Sequence, residues 1–127
     1  MRMTEAWVIE DGGGAPVSSE TVEEMLRARI AQGRFEALLA GSSGRSLIFV
    51  TNGVRAMTVL LDEDGDPGEH AADPGAEGSS GGFVLSNGQH DTYPNEDTVP
   101  LEEAFRILGH ILRDGSWPPD ASRVVDR

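Results

Sequence analysis

Four aspartates in the middle of the chain have the spacing of a calcium-binding loop. The first, third, fifth and twelfth positions, which ligate Ca²⁺ in such loops, are filled by Asp62, Asp64, Asp66 and Asp73. However, the sixth position, where the sharp turn needs glycine, is Pro67, and the last ligand is aspartate instead of the longer glutamate. The preceding run is also predicted to be a strand instead of a helix. These departures favour a solvated acidic turn, and we expect neither a bound metal nor a cofactor.

A second chemistry to consider is acid–base catalysis by His90, Asp91 and Tyr93. This segment is predicted to be a strand, in which neighbouring side chains point to opposite faces, so His90 and Asp91 should not converge. The chain has no cysteine to serve as a nucleophile, and its serines cluster in glycine-rich turns. We therefore expect that the protein is not an enzyme.

Charge is strongly segregated along the chain. The formal net charge is −12, from 22 acidic residues and 10 arginines. Residues 56–105 hold twelve carboxylates and no Arg or Lys, whereas acids and arginines balance in the rest of the chain. Such a block repels nucleic acid and anionic membranes, and it attracts a basic protein partner. The alternative is that the acidic residues only keep a small protein in solution.

Ten carboxylates in two neighbouring segments are the candidate contacts to a basic protein. They are Asp62, Glu63, Asp64, Asp66, Glu69, Asp73 and Glu77 in the segment 62–82, and Asp91, Glu96 and Asp97 in the hairpin region that follows. The segment 62–82 contains six Gly, two Pro and no large apolar side chain. Because it buries too little apolar area to offset its ordering entropy, we expect a mobile acidic loop inside a single domain that spans residues 1–127.

The apolar pattern predicts an α+β fold, with a mostly antiparallel sheet of about five to six strands and two helices packed on one face. A first strand is expected over 6–9, followed by a turn over 10–14. Asn52-Gly53 between apolar runs predicts the last turn of a three-stranded meander over 35–61, and Asn87-Gly88 predicts a second hairpin. Val124-Val125 is expected to pair as a short final strand.

Two helices are predicted from apolar periodicity and end signals. The first should begin with a capping box of Thr21 and Glu24, with Ser18 and Ser19 as alternative caps, and end at Gly33. The second should begin at Pro100, end at Gly115, and carry one apolar stripe, made of Leu101, Ala104, Phe105, Leu108, Ile111 and Leu112. Trp7 and Trp117, near the ends of predicted elements, are expected to cap the core, and the alternative is that they anchor a partner.

The last third of the chain, Gly82 to Val125, combines a hairpin at 83–93, a helix opened by Val99-Pro100-Leu101-Glu102-Glu103-Ala104, and a helix end that reads Arg113-Asp114-Gly115-Ser116-Trp117-Pro118. In these features it resembles the small acidic immunity proteins that are encoded beside polymorphic toxins in actinobacteria. The resemblance implies a non-enzymatic inhibitor of a cognate toxin, without catalytic residues.

Charge and resemblance together predict a protein that binds and neutralises a basic toxin, such as a nuclease, through acidic surface loops. The alternative is a protein-binding adaptor or secretion chaperone, which would need an exposed apolar surface instead of an acidic one. The first ten residues lack an apolar run long enough for a signal peptide, and no stretch approaches the length of a membrane span. We therefore expect a cytoplasmic location and no contact with membranes or nucleic acid.

Overall fold

The computed structural model describes residues 5–10 and 14–127. Within these residues the chain forms a large sheet, a separate two-stranded sheet and two α-helices. The strands are β1 (Trp7–Ile9), β2 (Ala15–Val17), β3 (Glu36–Gly41), β4 (Ser46–Thr51), β5 (Arg55–Leu61), β6 (Glu69–Ala71), β7 (Ser79–Val84), β8 (His90–Pro94), β9 (Val99–Pro100) and β10 (Arg123–Val125). The helices are α1 (Val22–Ala31), α2 (Leu101–Asp114) and a 3-10 turn, Asn95–Asp97. The expected turn over 10–14 includes residues 11–13, which lie outside the described residues.

The large sheet is antiparallel throughout the described residues. Its strands follow the order β10, β6, β5, β4, β3, β1, β2, and β9 pairs with the beginning of β5. The predicted α+β class is therefore confirmed. The expected number of five to six strands is too low, because the sheet has eight. The additional strands β2, β6 and β9 have only two or three residues each, which is too short for apolar alternation to be recognised.

The central meander β3–β4–β5 forms as predicted. Alternate residues of these strands are buried, and pairs such as Leu47 and Leu60 lie opposite each other on the core side. At the β4–β5 turn, Asn52 Oδ1 accepts the main-chain N–H groups of Val54 at 2.9 Å and Arg55 at 2.8 Å. Side-chain chemistry thus closes the turn that Asn-Gly indicates in the sequence.

Both helices pack on one face of the large sheet. Buried side chains of α1 and α2 belong to one apolar cluster with the inward-facing residues of the strands, and Phe105 stacks on Phe49 with ring centroids 5.9 Å apart. Trp7 and Trp117 are 3% and 6% exposed, as expected for residues that cap a core. Among the described residues, no helix is long and apolar enough to cross a membrane.

The end of α2 agrees with its sequence signal, whereas the start of α1 does not. Gly115 ends α2 with φ +79°, and its N–H donates to the carbonyl of Ile111 at 2.8 Å. The capping box predicted for α1 does not form in the described residues, because the Thr21 hydroxyl accepts the N–H of Ser18 at 3.0 Å and makes no capping bond to the helix. The α1 start is therefore fixed by a turn before the helix.

The predicted hairpin around Asn87-Gly88 is present as β7–β8, but it forms its own sheet. Strand β7 contacts β4 of the large sheet, and Asn52 Nδ2 donates to the carbonyl of Gly81 at 3.0 Å. Phe83 in this hairpin is fully buried and meets Tyr93 edge-on at 4.8 Å between centroids. The hairpin therefore lies outside the main core and has a small apolar contact of its own.

The segment 62–82 is not a loop throughout. It contains all of β6, which pairs with both β5 and β10, and the first residues of β7. This correction has a physical reason: main-chain pairing and one buried methyl group, that of Ala71, order β6 without large apolar side chains. The mobility predicted for the rest of the segment stays a prediction.

Candidate protein-binding surface

The C-terminal arginines occupy one part of the acidic block. Arg127 pairs with Asp62 and with Asp66, each at 2.9 Å, and with Glu69 at 3.4 Å, while Arg123 pairs with Glu69 at 3.0 Å. The side chains of Asp66 and Glu69 are only 8% and 13% exposed. We call Asp62, Asp66 and Glu69 the acidic cradle. Two guanidiniums pair with these three carboxylates, so most of the charge of the cradle is compensated within the chain and these candidates do not form a free binding surface.

The turn between β5 and β6 keeps Asp66 ionised. The main-chain N–H of Asp62 donates to Asp66 Oδ2 at 2.9 Å, and the Arg127 guanidinium donates to the same carboxylate. These contacts, the main-chain bond first, hold the pKa of Asp66 below its usual value. Asp66 therefore serves as an anchor for the end of the chain.

Strand β6 places His70 between two carboxylates. Nδ1 of His70 lies 2.8 Å from Asp126 Oδ2, and Nε2 lies 3.0 Å from Asp97 Oδ1. Burial alone would lower the pKa of His70, but the hydrogen bonds to Asp126 and Asp97 outweigh burial and raise it. The candidate residue Asp97 is thus engaged in joining the 3-10 turn to β6 and to the C-terminal segment.

Asp73 is also engaged within the chain. Arg55 donates to Asp73 Oδ2 at 2.6 Å and, through Nε, to the Thr98 hydroxyl at 2.7 Å. The same guanidinium donates to the carbonyls of Asn95 and Thr98. Since the Arg55 side chain is only 18% exposed, this contact ties the acidic segment to the approach to α2.

Asp91 lies on β8 beside Tyr93, two residues away on the same strand face. It accepts the Tyr93 hydroxyl at 2.7 Å and the Gln89 amide at 2.7 Å, and these bonds, that of Tyr93 first, lower the pKa of Asp91. Burial, followed by the contact with Asp91, raises the pKa of Tyr93. His90 is exposed and adjacent in the strand, so the acid–base cluster considered from the sequence does not assemble.

Four of the ten candidates are exposed and have no ion pair with any described residue. They are Glu63, Asp64, Glu77 and Glu96, which we call the open carboxylates. Glu63 and Asp64 lie in the same turn as the acidic cradle. Glu77 and Glu96 belong to adjoining segments, because Asn95 donates to the carbonyl of Glu77 at 2.8 Å and Asp73 donates to that of Glu96 at 2.9 Å. They are the groups available to a cationic partner.

The aspartates with calcium-loop spacing do not form a cation site. Asp66 is held by Arg127 and Asp73 by Arg55, so these two carboxylates already have cationic partners. No group of three or more carboxylate, histidine or cysteine side chains that could hold a metal ion occurs among the described residues. The sequence Gly-Ser-Ser-Gly-Gly at 78–82 matches the Gly-x-Ser-x-Gly pattern of a nucleophile elbow, which is a turn between a strand and a helix. Here Ser80 lies within strand β7 instead, and its hydroxyl donates to Asn95 Oδ1 at 2.5 Å.

A groove of about 550 Å³ lies between the end of α1, strand β3 and the β7–β8 hairpin. Its walls include Leu38, Ile48, Val84 and Leu85, and Leu38 is 39% exposed. Four charged residues, Glu10, Arg29, Arg34 and Glu36, also line the groove, so it offers the adaptor alternative only a partly apolar surface.

The acidic segments are held in place by contacts of residues that were not among the predicted candidates. These residues are Arg55, His70, Arg123, Asp126 and Arg127. One sequence signal could have found three of them. The predicted strand Val124-Val125 is flanked by charged side chains, which must lie beside the neighbouring strand. That neighbour, β6, was expected to be loop, so the pairing was not foreseen.

Compared with known proteins, the chain matches no family model and no curated protein sequence.

Proposed function

We propose that the protein is a non-enzymatic, immunity-type protein that binds and neutralises a cognate basic toxin, such as a nuclease. The observation that carries this proposal is the presence of the open carboxylates Glu63, Asp64, Glu77 and Glu96, exposed and without cationic partners among the described residues. The other six candidates have ion-pair or hydrogen-bond partners within the chain and fix the segments that carry the open carboxylates. A cationic active site would meet these carboxylates in place of its anionic substrate.

Electrostatic steering supports this choice of partner. A net charge of −12 raises the encounter rate with a basic protein and lowers it with anionic polymers. Asp62, Asp66, Glu69 and Asp73 contribute to this long-range field less than the open carboxylates, because nearby guanidiniums offset most of their charge. The association rate should therefore depend mainly on the open carboxylates.

The test is surface plasmon resonance with the purified toxin domain encoded beside this chain. The variant E63Q/E77Q/E96Q removes three open charges, and the variant E10Q/E20Q/E24Q removes three exposed glutamates elsewhere as a matched control. We expect the first variant to slow association by about 3- to 10-fold at 50 mM salt and less at 200 mM, with little change in dissociation. The control should associate at nearly the wild-type rate.

Equal effects of the two variants would mean that only net charge matters, and would remove the open carboxylates from the interface. Absence of binding between the wild-type protein and the toxin domain would overturn the proposed function.

A second candidate function is that of an adaptor, and the partly apolar groove beside Leu38 is the observation that favours it. A partner held there should be lost on the substitution Leu38→Asp and retained by E63Q/E77Q/E96Q. The immunity proposal expects the opposite pattern, so the same binding assay separates the two functions.

A further inference from the structure

Strand β10 is attached to the sheet without any fully buried side chain. All three residues are exposed, with Val124 at 43% and Val125 at 53%, which is true of no other strand in the described residues. Elements with little buried apolar area open locally at low free energy. Strand β10 is therefore the strand of this sheet that detaches most readily.

Main-chain bonds and charges hold β10 in place. The N–H of Ala72 donates to the carbonyl of Ser122 at 2.9 Å, and the N–H of Asp126 donates to that of Gly68 at 2.8 Å. Beyond these bonds, the side-chain contacts include the ion pairs of Arg123 and Arg127 with the acidic cradle and the contact of Asp126 with His70. The main-chain bonds are independent of sequence, so these side chains supply the selectivity.

The ion pairs are asymmetric in exposure. The carboxylates of Asp66 and Glu69 are 8% and 13% exposed, whereas the side chains of Arg123 and Arg127 are 45% and 32% exposed. The guanidiniums of β10 and of Arg127 contribute to this shielding while they are in place, and Asp62 in the same cradle is 58% exposed. A segment that replaces β10 at the cradle would therefore need cationic side chains of its own to pair with these carboxylates.

The spacing of the arginines defines what can satisfy the cradle. Arg123 lies in β10 and Arg127 lies two residues beyond its end, and the guanidiniums of both reach Glu69. The site therefore selects an extended segment with two cationic side chains four residues apart.

We propose that the β6 edge and the acidic cradle form a docking site for a basic, extended segment of the partner, and that β10 occupies this site until that segment displaces it. The mode is addition of a strand to a sheet edge, with charge supplying selectivity. Glu63 and Asp64, in the same turn as the cradle, extend the negative surface past the position of Arg127. This inference rests on the proposed function and names the part of a basic partner that would be held.

The probe is a fluorescein-labelled peptide with the sequence of residues 119–127, Pro-Asp-Ala-Ser-Arg-Val-Val-Asp-Arg. The control peptide has Gln in place of both arginines. Each is titrated by fluorescence anisotropy into the full-length wild-type chain and into the full-length variant R123Q/R127Q, whose own β10 has lost its ion pairs. Circular dichroism verifies that the variant is folded.

We expect the arginine peptide to bind the variant at least about tenfold more tightly than the wild type, because the resident strand competes for the site. The glutamine peptide should bind neither protein. A second variant, V124P, interrupts β10 without changing its charge and should show the same gain. If the two peptides bind alike, or if neither variant gains affinity, the proposal is overturned.

Two further outcomes decide the occupant. Analytical ultracentrifugation of the wild type and of R123Q/R127Q tests for a dimer that exchanges β10 between copies. Such a wild-type dimer would make a second copy the occupant of the site and would overturn the proposal of a partner segment. If the arginine peptide does not bind, while toxin binding still depends on Glu63, Glu77 and Glu96, this docking mode is rejected and the proposed function is retained.

Discussion

The imidazole of His70 joins two segments of the chain, since its Nδ1 lies 2.8 Å from Oδ2 of Asp126 and its Nε2 lies 3.0 Å from Oδ1 of Asp97. A neutral imidazole can donate through only one ring nitrogen. Both contacts with ionised carboxylates are therefore satisfied together only by the protonated ring. The side chain is 15% exposed, so water competes little for these bonds. The protonation of His70 and the position of the C-terminal segment are coupled.

This coupling predicts that the protein becomes less stable as pH rises through the neutral range. The pKa of His70 is raised above its ordinary value of 6.5, so its contribution is complete below pH 6.5 and is lost as pH rises through the higher folded value. Denaturant unfolding across this range should show a falling free energy of unfolding. In the variant His70→Gln this decrease should be absent, and a decrease of the same size in that variant would contradict the assignment.

Gly68 is predicted to be the glycine whose replacement disturbs the β6–β10 pairing. Its φ is +90°, and an added Cβ would lie 2.9 Å from the carbonyl oxygen of Leu60. The substitution Gly68→Ala should cost about 2 to 4 kcal/mol, from backbone strain and from this clash. Gly75→Ala is the control, because Gly75 has φ +87° and open space around it. It should cost about 1 kcal/mol, and equal costs by denaturant unfolding would exclude the clash as the cause.

Helix α2 is predicted to be the main source of apolar stability. Leu108 is fully buried against the sheet, so Leu108→Ala should cost about 2 to 5 kcal/mol of unfolding free energy. Arg113→Ala on the exposed side of the same helix should change it by less than about 0.5 kcal/mol. A denaturant midpoint of the Leu108 variant within error of wild type would show that the stripe is not core.

Long elements could be predicted from the sequence because their patterns repeat. The stripe of α2 and the alternation of β3 to β5 each span six or more residues, and the structure has them where the periodicity places them. Short strands could not be predicted in this way. Strand β6 has three residues, Glu-His-Ala, and is held by neighbours that are distant in sequence. Tertiary pairing decides such cases.

The candidate site was predicted only in part for the same reason. The composition of residues 56–105 identified the acidic block, but not which carboxylates are neutralised. Asp66 and Glu69 are paired with arginines about 60 residues away, and such partners are invisible to local spacing. Asp73 pairs with Arg55, which lies one residue before the block without basic residues. Exposure and pairing, which require the fold, separate the open carboxylates from the others.

Amide hydrogen exchange should divide the segment 62–82 into two parts. The amide of Ala72 donates to Ser122 and should exchange more slowly than the amides of Gly75, Glu77 and Gly78, where no strand forms. Release of β10 in the variant R123Q/R127Q should reduce the protection of Ala72 without affecting that of β4. Strong protection across the whole of 64–80 in the isolated protein would contradict the mobility predicted for the turns.

Arg55 and Asp73 are predicted to contribute unequally to stability although they form one ion pair. Arg55 also donates to Thr98 and to the carbonyl of Asn95, so Arg55→Gln should cost about 2 kcal/mol by leaving these acceptors without a donor. Asp73 is 37% exposed, and Asp73→Asn should cost less than about 1 kcal/mol. A double-mutant cycle by denaturant unfolding measures the coupling.

Since Arg55 also fixes the turn that carries Glu96, the Arg55 variant should slow association with the toxin domain, whereas the Asp73 variant should not. Equal costs for the two single variants would show that the ion pair, and not the anchoring of the turn, is what Arg55 provides.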